Sequence, residues 1–112
     1  GMTDASPRGA VVRGPDLFAD NEFRPSVSVS DERHPFSDQE ARSVAVTTTE
    51  RERAIRLDQA VFASGGLPRE SFANPWTVAS IRHADLGRQE GQLREDVIDR
   101  IAEETAGYLG VR

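Results

Sequence analysis

Two short segments carry the residue types best suited to chemistry. In Phe23-Arg24-Pro25-Ser26-Val27-Ser28-Val29-Ser30 an arginine stands at the entry to an alternating strand, and in Val44-Ala45-Val46-Thr47 a hydroxyl stands near the end of a β-branched one. A guanidinium and a hydroxyl exposed at one rim can bind and polarise a phosphate without a metal. The guanidinium grips two phosphoryl oxygens at once, and the threonine donates a further hydrogen bond. Arg51 and Arg53 share the parity of Thr47 and Thr49 and extend that surface. The same arginines also fit a solvated turn in which they pair with Glu50 and Glu52, and spacing alone favours that plainer reading.

Other chemistry finds less support. His34 precedes a proline and His83 lies in Arg82-His83-Ala84-Asp85, so neither completes a metal-ligand spacing. Both read as exposed or structural loop residues rather than an acid and a base. Gly65-Gly66 lacks a following Lys-Ser or Lys-Thr and reads as a turn, not a phosphate loop. Trp76 can stack on a base, but packing beside a core is its commoner role. The chain has no cysteine, which excludes disulfides, thiolate metal sites and a cysteine nucleophile. No metal and no other cofactor is expected.

The elements that must position Arg24 and Thr47 follow from periodicity. Residues 1–8 read as a flexible lead-in, with Gly1 ahead of Met2 as the remnant of an expression tag, and residues 9–112 as a single domain. Ala10-Val11-Val12-Arg13 before Gly14-Pro15 predicts a strand and a turn. Alternation through Ser26–Ser30 predicts a strand that buries Val27 and Val29 and turns its serines outward, with Pro25 tolerated at the first position. Ser37-Asp38-Gln39-Glu40 fits a capping box and predicts one short helical turn. Ser43–Thr49 predicts a second strand, with Val44, Val46 and Thr48 on one face and Ser43, Ala45, Thr47 and Thr49 on the other. Beyond the charged link 50–53, Ala54–Leu57 reads as its hairpin partner. Residues 71–81 are extended, with Phe72, Trp76, Val78 and Ile81 as apolar candidates. From Glu95 to Leu109, Val97, Ile98, Ile101, Thr105, Tyr108 and Leu109 recur at helical spacing, and Gly110 supplies a stop. Short strands before one amphipathic helix predict a mainly β fold with helical decoration, a small barrel or curled sheet.

Size and charge narrow the function. A chain of 112 residues and 12.3 kDa holds one core of ordinary size. No apolar run approaches the roughly 20 residues of a bilayer crossing, and the first residues lack the apolar stretch of a signal peptide, so a cytoplasmic protein is expected. All 14 basic residues are arginine, against 19 Asp and Glu, for a net charge of −5. Affinity for phosphate backbones comes chiefly from neutralising phosphates and releasing counterions, so an acidic chain is a poor generic polyanion binder. Any nucleic-acid site here is local and arginine-built; otherwise the acidic surface serves solubility alone.

The order of motifs resembles the PemK/MazF family of toxins. Four segments carry the resemblance: Arg24-Pro25 opening a strand; Val44-Ala45-Val46-Thr47; Gly65-Gly66-Leu67-Pro68-Arg69-Glu70-Ser71 with Phe72-Ala73-Asn74; and Leu86-Gly87-Arg88-Gln89-Glu90-Gly91-Gln92-Leu93 before the terminal helix. Together they span roughly residues 9 to 111. The resemblance implies an SH3-like barrel of the PemK/CcdB kind, a homodimer, and a metal-independent, sequence-selective endoribonuclease acting on single-stranded RNA and held inactive by a cognate antitoxin. It carries the catalytic pair onto Arg24 and Thr47, with Glu22, Thr49, Arg51, Arg53 and Trp76 as RNA-binding candidates. The chain departs from the family where Phe18-Ala19-Asp20-Asn21-Glu22-Phe23 replaces the usual loop before the arginine, where Trp76-Thr77 replaces an Asp-Gln pair, and at Ala79. These changes leave open an alternative, a weakened nucleic-acid- or antitoxin-binding growth regulator on the same barrel. A topoisomerase poison of the CcdB kind gains little from the Gly110-Val111-Arg112 ending.

Overall fold

The computed structural model describes residues 7–14 and 24–110. Seven strands form one sheet: β1 (Ala10–Gly14), β2 (Arg24–Ser28), β3 (Glu40–Thr47), β4 (Ile55–Arg56), β5 (Phe62–Gly65), β6 (Phe72–Arg82) and β7 (Gln89–Leu93), followed by α1 (Glu95–Tyr108). The order across the sheet is β4-β6-β3-β2-β1-β7-β5, and every pairing is antiparallel. The outermost strands, β4 and β5, are consecutive in sequence and joined by residues 57–61, which include a short 3-10 turn at Gln59–Val61. A flat seven-stranded sheet would hold its edges roughly 29 Å apart, whereas this link reaches about 20 Å at full extension. The sheet therefore curls until its edges approach, giving the mainly β, barrel-like fold with a C-terminal helix that the sequence predicts.

The concave face and the helix share one core. Val11, Val27, Val44, Val46, Ile55, Leu57, Phe62, Ala73 and Leu93 meet Ile98 and Ile101 of α1. Glu95 and Asp96 lie in the helix's first turn, where the macrodipole favours anions. Thr105 turns its hydroxyl back to the Ile101 carbonyl at 2.8 Å and so tolerates burial, and Gly110 ends the helix with φ +84°. Where β5 closes on β7, Gly65 takes φ +67°, and any Cβ at its partner Gly91 would lie 2.8 Å from the Phe62 ring.

Three expectations need correction. β4 does not form a hairpin with β3. The free edge of β3 is already occupied by β6, from Thr47↔Phe72 to Glu40↔Arg82, so β4 adds to the far edge of β6 through Ile55↔Ala73 and Arg56↔Phe72. The serines of β2 do not face water: Ser26 and Ser28 are buried on the convex side, as is Ser43 of β3 beside Ser28. The stretch 37–40 does close one helical turn, with the Gln39 and Glu40 amides both on the Phe36 carbonyl, but the capping box does not form. Ser37 donates its amide to the His34 carbonyl, and Glu40 starts β3 and spends its carboxylate on His34 instead of capping. His83 takes the structural role read for it: it is buried in the short 3-10 connection His83–Asp85 and bonds the Ser37 carbonyl at 2.9 Å. Strands β5 and β7 went unpredicted, because Gln89-Glu90-Gly91-Gln92-Leu93 carries no apolar alternation and gains its extended form from β1 and β5 on either side.

Ile101 is wholly buried where helix meets sheet. Truncation to alanine removes three carbons and leaves a cavity, so Ile101→Ala is expected to lower unfolding stability by about 2–5 kcal/mol in urea titration.

Candidate functional site

The two chemical residues lie on adjacent strands, Arg24 at the start of β2 and Thr47 at the end of β3. Val27 lies opposite Val44, with Ser26↔Ala45 and Ser28↔Ser43 on either side. The ladder ends at Ser26↔Ala45, with Arg24 two residues beyond it on β2 and Thr47 two residues beyond it on β3. Directly opposed residues of an antiparallel pair point to one face. With Val27, Val44 and Val46 in the core, Arg24 and Thr47 share the convex side, and both are half-buried. Arg24 also lies opposite Gly14 of β1, where the place of the missing side chain is taken by a Leu86 methyl, 2.9 Å from any added Cβ. The Thr47 hydroxyl accepts from the Thr49 amide at 3.1 Å. That bond fixes the side chain and leaves the hydroxyl proton available to donate.

A third polar residue shares this surface. Asn74 of β6 lies opposite Ala45, one row from the Arg24–Thr47 pair, and its buried Oδ1 has no hydrogen-bond partner. Nothing in the spacing of Phe72-Ala73-Asn74 distinguishes it from a surface amide; only the pairing with Ala45 does. Directly after it β6 bulges. Asn74 and Val78 face the consecutive residues Ala45 and Val44, so Pro75, Trp76 and Thr77 loop out of the ladder. Pro75 has no amide to give a central strand, and the bulge accommodates it.

The remaining candidates divide. Thr49 and Arg51 are exposed in the link that follows Thr47, close in sequence to the pair. Neither Arg51 nor Arg53 is ion-paired with Glu50 or Glu52 among the described residues. Arg53 instead lines a hollow with Glu103, Glu104, Gly107 and Tyr108 at the end of α1. Trp76 lies there too, its ring edge-on to Tyr108 at 5.6 Å and 77°, so the packing role read for it holds. Glu22 lies outside the described residues.

The opposite end of the sheet is mixed in charge. Asp31, Glu32 and Glu40 line a hollow of about 300 Å³ with Arg8 and His83. His34 is held by Glu40 at 3.0 Å, which keeps both histidines far along the strands from Arg24 and Thr47. Among the described residues no group of three His, Asp or Glu is arranged to hold a metal ion, and no helix is long and apolar enough to cross a membrane. Side-chain hydrogen bonds from Arg33, followed by the Arg33 amide, hold the Asp31 carboxyl down from 3.8 to about 2.

No family model and no curated protein matches the sequence. Solved structures do match. An endoribonuclease from a mycobacterial species, in complex with its cognate antitoxin, superposes with TM-score 0.72 at 21% identity over 97% of both chains. The Mycobacterium tuberculosis toxin MazF-mt6 gives 0.67 at 22% identity, over 94% of this chain and 99% of that one. The MazE-MazF structure from Deinococcus radiodurans gives 0.72 at 14% identity, over 97% and 100%. The fold is that of the MazF-type toxin endoribonucleases. At such identity this chain is a divergent bearer of it, and the likeness read from the motifs holds across nearly its full length.

A carboxyl whose folded pKa is depressed stabilises the fold above its ordinary range, and that contribution fades as pH falls through the depressed value. Asp31 is therefore expected to titrate near 2 by carbon-13 NMR and to return toward 3.8 in Arg33→Ala; an unmoved midpoint would remove the fork as its cause.

Proposed function

We propose that this chain is the toxin of a type II toxin–antitoxin pair, a metal-independent, sequence-selective endoribonuclease that cuts single-stranded RNA in the cytoplasm. The observation that carries the proposal is that Arg24 and Thr47 lie on the convex face of the adjacent strands β2 and β3, in a sheet with the fold of toxin endoribonucleases. In the reaction the ribose 2′-hydroxyl attacks the adjacent phosphorus in line, forming the 2′-O–P bond as the P–O5′ bond breaks. Its proton leaves to a phosphate oxygen or to water, and the departing 5′-oxygen takes up a proton. The products are a 2′,3′-cyclic phosphate and a 5′-hydroxyl.

Arg24 supplies what the transition state lacks in water. Negative charge accumulates on the phosphoryl oxygens of the phosphorane, and a fixed guanidinium stabilises it more there than on the ground-state diester. The same group, in hydrogen-bond reach of the leaving oxygen, helps to deliver its proton. Thr47, steadied by the Thr49 amide, holds a non-bridging oxygen and keeps the attack in line. Exposed Thr49 and Arg51 beside the pair offer contacts to neighbouring phosphates, which an acidic protein must supply locally. A second copy of the chain and a cognate antitoxin complete the proposed system, because the similar solved structures include a toxin bound to its antitoxin.

Purified protein incubated with a long single-stranded RNA in EDTA is expected to give discrete cuts ending in 2′,3′-cyclic phosphate. Arg24→Ala is expected to slow cutting by about 100- to 1,000-fold at unchanged thermal stability. Thr47→Val, which keeps the shape and deletes the hydroxyl, should slow it by roughly tenfold or more, with Thr47→Ser restoring most of the rate. Cutting by Arg24→Ala at the wild-type rate would sink the proposal, and absence of cutting by folded, antitoxin-free wild-type protein would leave a binding module on the same barrel.

A further inference from the structure

Beyond the Arg24–Thr47 pair, a shallow, open hollow of about 470 Å³ lies where the β3–β4 link meets the last turn of α1, lined by Arg53, Glu103, Glu104, Gly107 and Tyr108. Its volume falls in the range of small-molecule sites. Two of its residues are poor local choices. The turn Arg51–Ala54 is closed by the Ala54 amide on the Arg51 carbonyl, and its third residue, Arg53, takes φ +74°, where glycine is the residue such a turn favours. In the helix, Gly107 occupies a position at which an added Cβ meets nothing within 4 Å, so alanine would fit and would strengthen the turn. Local rules are broken twice around one hollow, a pattern expected where function competes with stability.

The lining also has a chemical character. Tyr108 is 43% exposed, and Trp76 pinned against its edge orients the ring. Arg53 brings a planar guanidinium and makes no ion pair there, although two carboxylates line the same hollow. Glu104 is taken by Arg100 at 2.9 Å, which leaves Glu103 as the open acceptor. Two carboxylates against one guanidinium disfavour a phosphate. A flat ring between Tyr108 and Arg53, with adjacent N–H donors for one carboxylate, satisfies every group. Among the nucleobases guanine alone presents two adjacent donors, N1–H and the 2-amino group, on its Watson–Crick edge.

We propose that this hollow is a guanine-reading subsite for the RNA, an assignment that rests on the chain being an endoribonuclease. Tyr108 and Arg53 stack the base, and Glu103 accepts from its N1–H and 2-amino group. Gly107 leaves the space the base occupies. Arg53 lies six residues after Thr47, at most about 20 Å along the chain, so the base read is within a few nucleotides of the scissile phosphate. Selectivity at that position then comes from Glu103, while the Arg24–Thr47 pair, which touches only the backbone, reads no sequence.

Trp76 is the chain's one tryptophan, and its contact with Tyr108 makes it the reporter. Wild-type protein is titrated with the 5′-monophosphates of guanosine, adenosine, cytidine and uridine, with Trp76 fluorescence followed. The expected result is saturable binding of the guanosine nucleotide, roughly tenfold or more tighter than the others, with that preference lost in Glu103→Gln. Arg53→Gly and Gly107→Ala are expected to melt at the wild-type temperature or higher and yet to weaken guanosine nucleotide binding. Equal responses to all four nucleotides, or a preference unchanged in Glu103→Gln, would overturn the assignment. A response only to an arginine-rich peptide would also overturn it and make the hollow a seat for a basic protein segment. The titration needs no cleavage, so the two readings fail separately. Guanine preference in a protein that cuts no RNA would remove the endoribonuclease reading alone, and RNA cutting without guanine preference would remove this subsite alone.

Discussion

Burial of Val27 and Val44 opposite each other is the contact on which the candidate site depends. Side chains alternate along a strand, so a slip of one residue between β2 and β3 would turn every core valine outward and every convex residue inward. Val27 and Val44 are wholly buried, and Val46 nearly so, which makes that slip cost several apolar side chains at roughly 1.5–3 kcal/mol each. The core therefore holds the register, and the register keeps Arg24 and Thr47 on the convex face of adjacent strands. The placement of the candidate pair is fixed by residues that are not part of it. The same pairing brings Asn74 into the neighbouring row through Ala45 and forces the Pro75-Trp76-Thr77 bulge.

Charge is mixed on the described surface rather than gathered at one end. Asp31, Glu32 and Glu40 share their hollow with Arg8, and Arg33 is committed to Asp31. Arg51 and Arg53 alternate with exposed Glu50 and Glu52 in the link after Thr47, and Arg53 faces Glu103 and Glu104. Any contact of this acidic protein with a polyanion is therefore local and is made by single arginines. The exposed acids of α1 add to this. Glu95, Asp99 and Glu103 recur every fourth residue on one side of the helix.

Legibility in the sequence followed the strength of the local signal. The terminal helix was visible because Ile98, Ile101 and Thr105 repeat at helical spacing and are the residues that become buried. Strand β3 was visible because β-branched residues fill it. The partner of β4 was not, because a short polar link such as 50–53 suits a hairpin equally well whether or not the neighbouring edge is free, and only the pairing of β6 with β3 shows that it is taken. The outward serines were misread for a related reason. Alternation of valine and serine reports one buried face but is silent on whether the convex face of Ser26, Ser28 and Ser43 is also covered. At Ser37–Glu40 the capping pattern failed because the Glu40 carboxylate is taken by His34 and Glu40 itself starts β3.

The sequence by itself determined the class of fold, the terminal helix, the two strands that carry Arg24 and Thr47, and the residue types able to hold a phosphate. Those properties rest on periodicity and side-chain chemistry, which act between near neighbours. Tertiary structure alone decided that the strands of Arg24 and Thr47 are neighbours, that Asn74 lies opposite Ala45 on the same face, and that Arg53 and Trp76 gather instead at Tyr108. Each of those outcomes turns on which strand edges pair and how a seven-stranded sheet curls when a five-residue link joins its outermost strands. These are contacts between residues distant in sequence, and no local pattern encodes them.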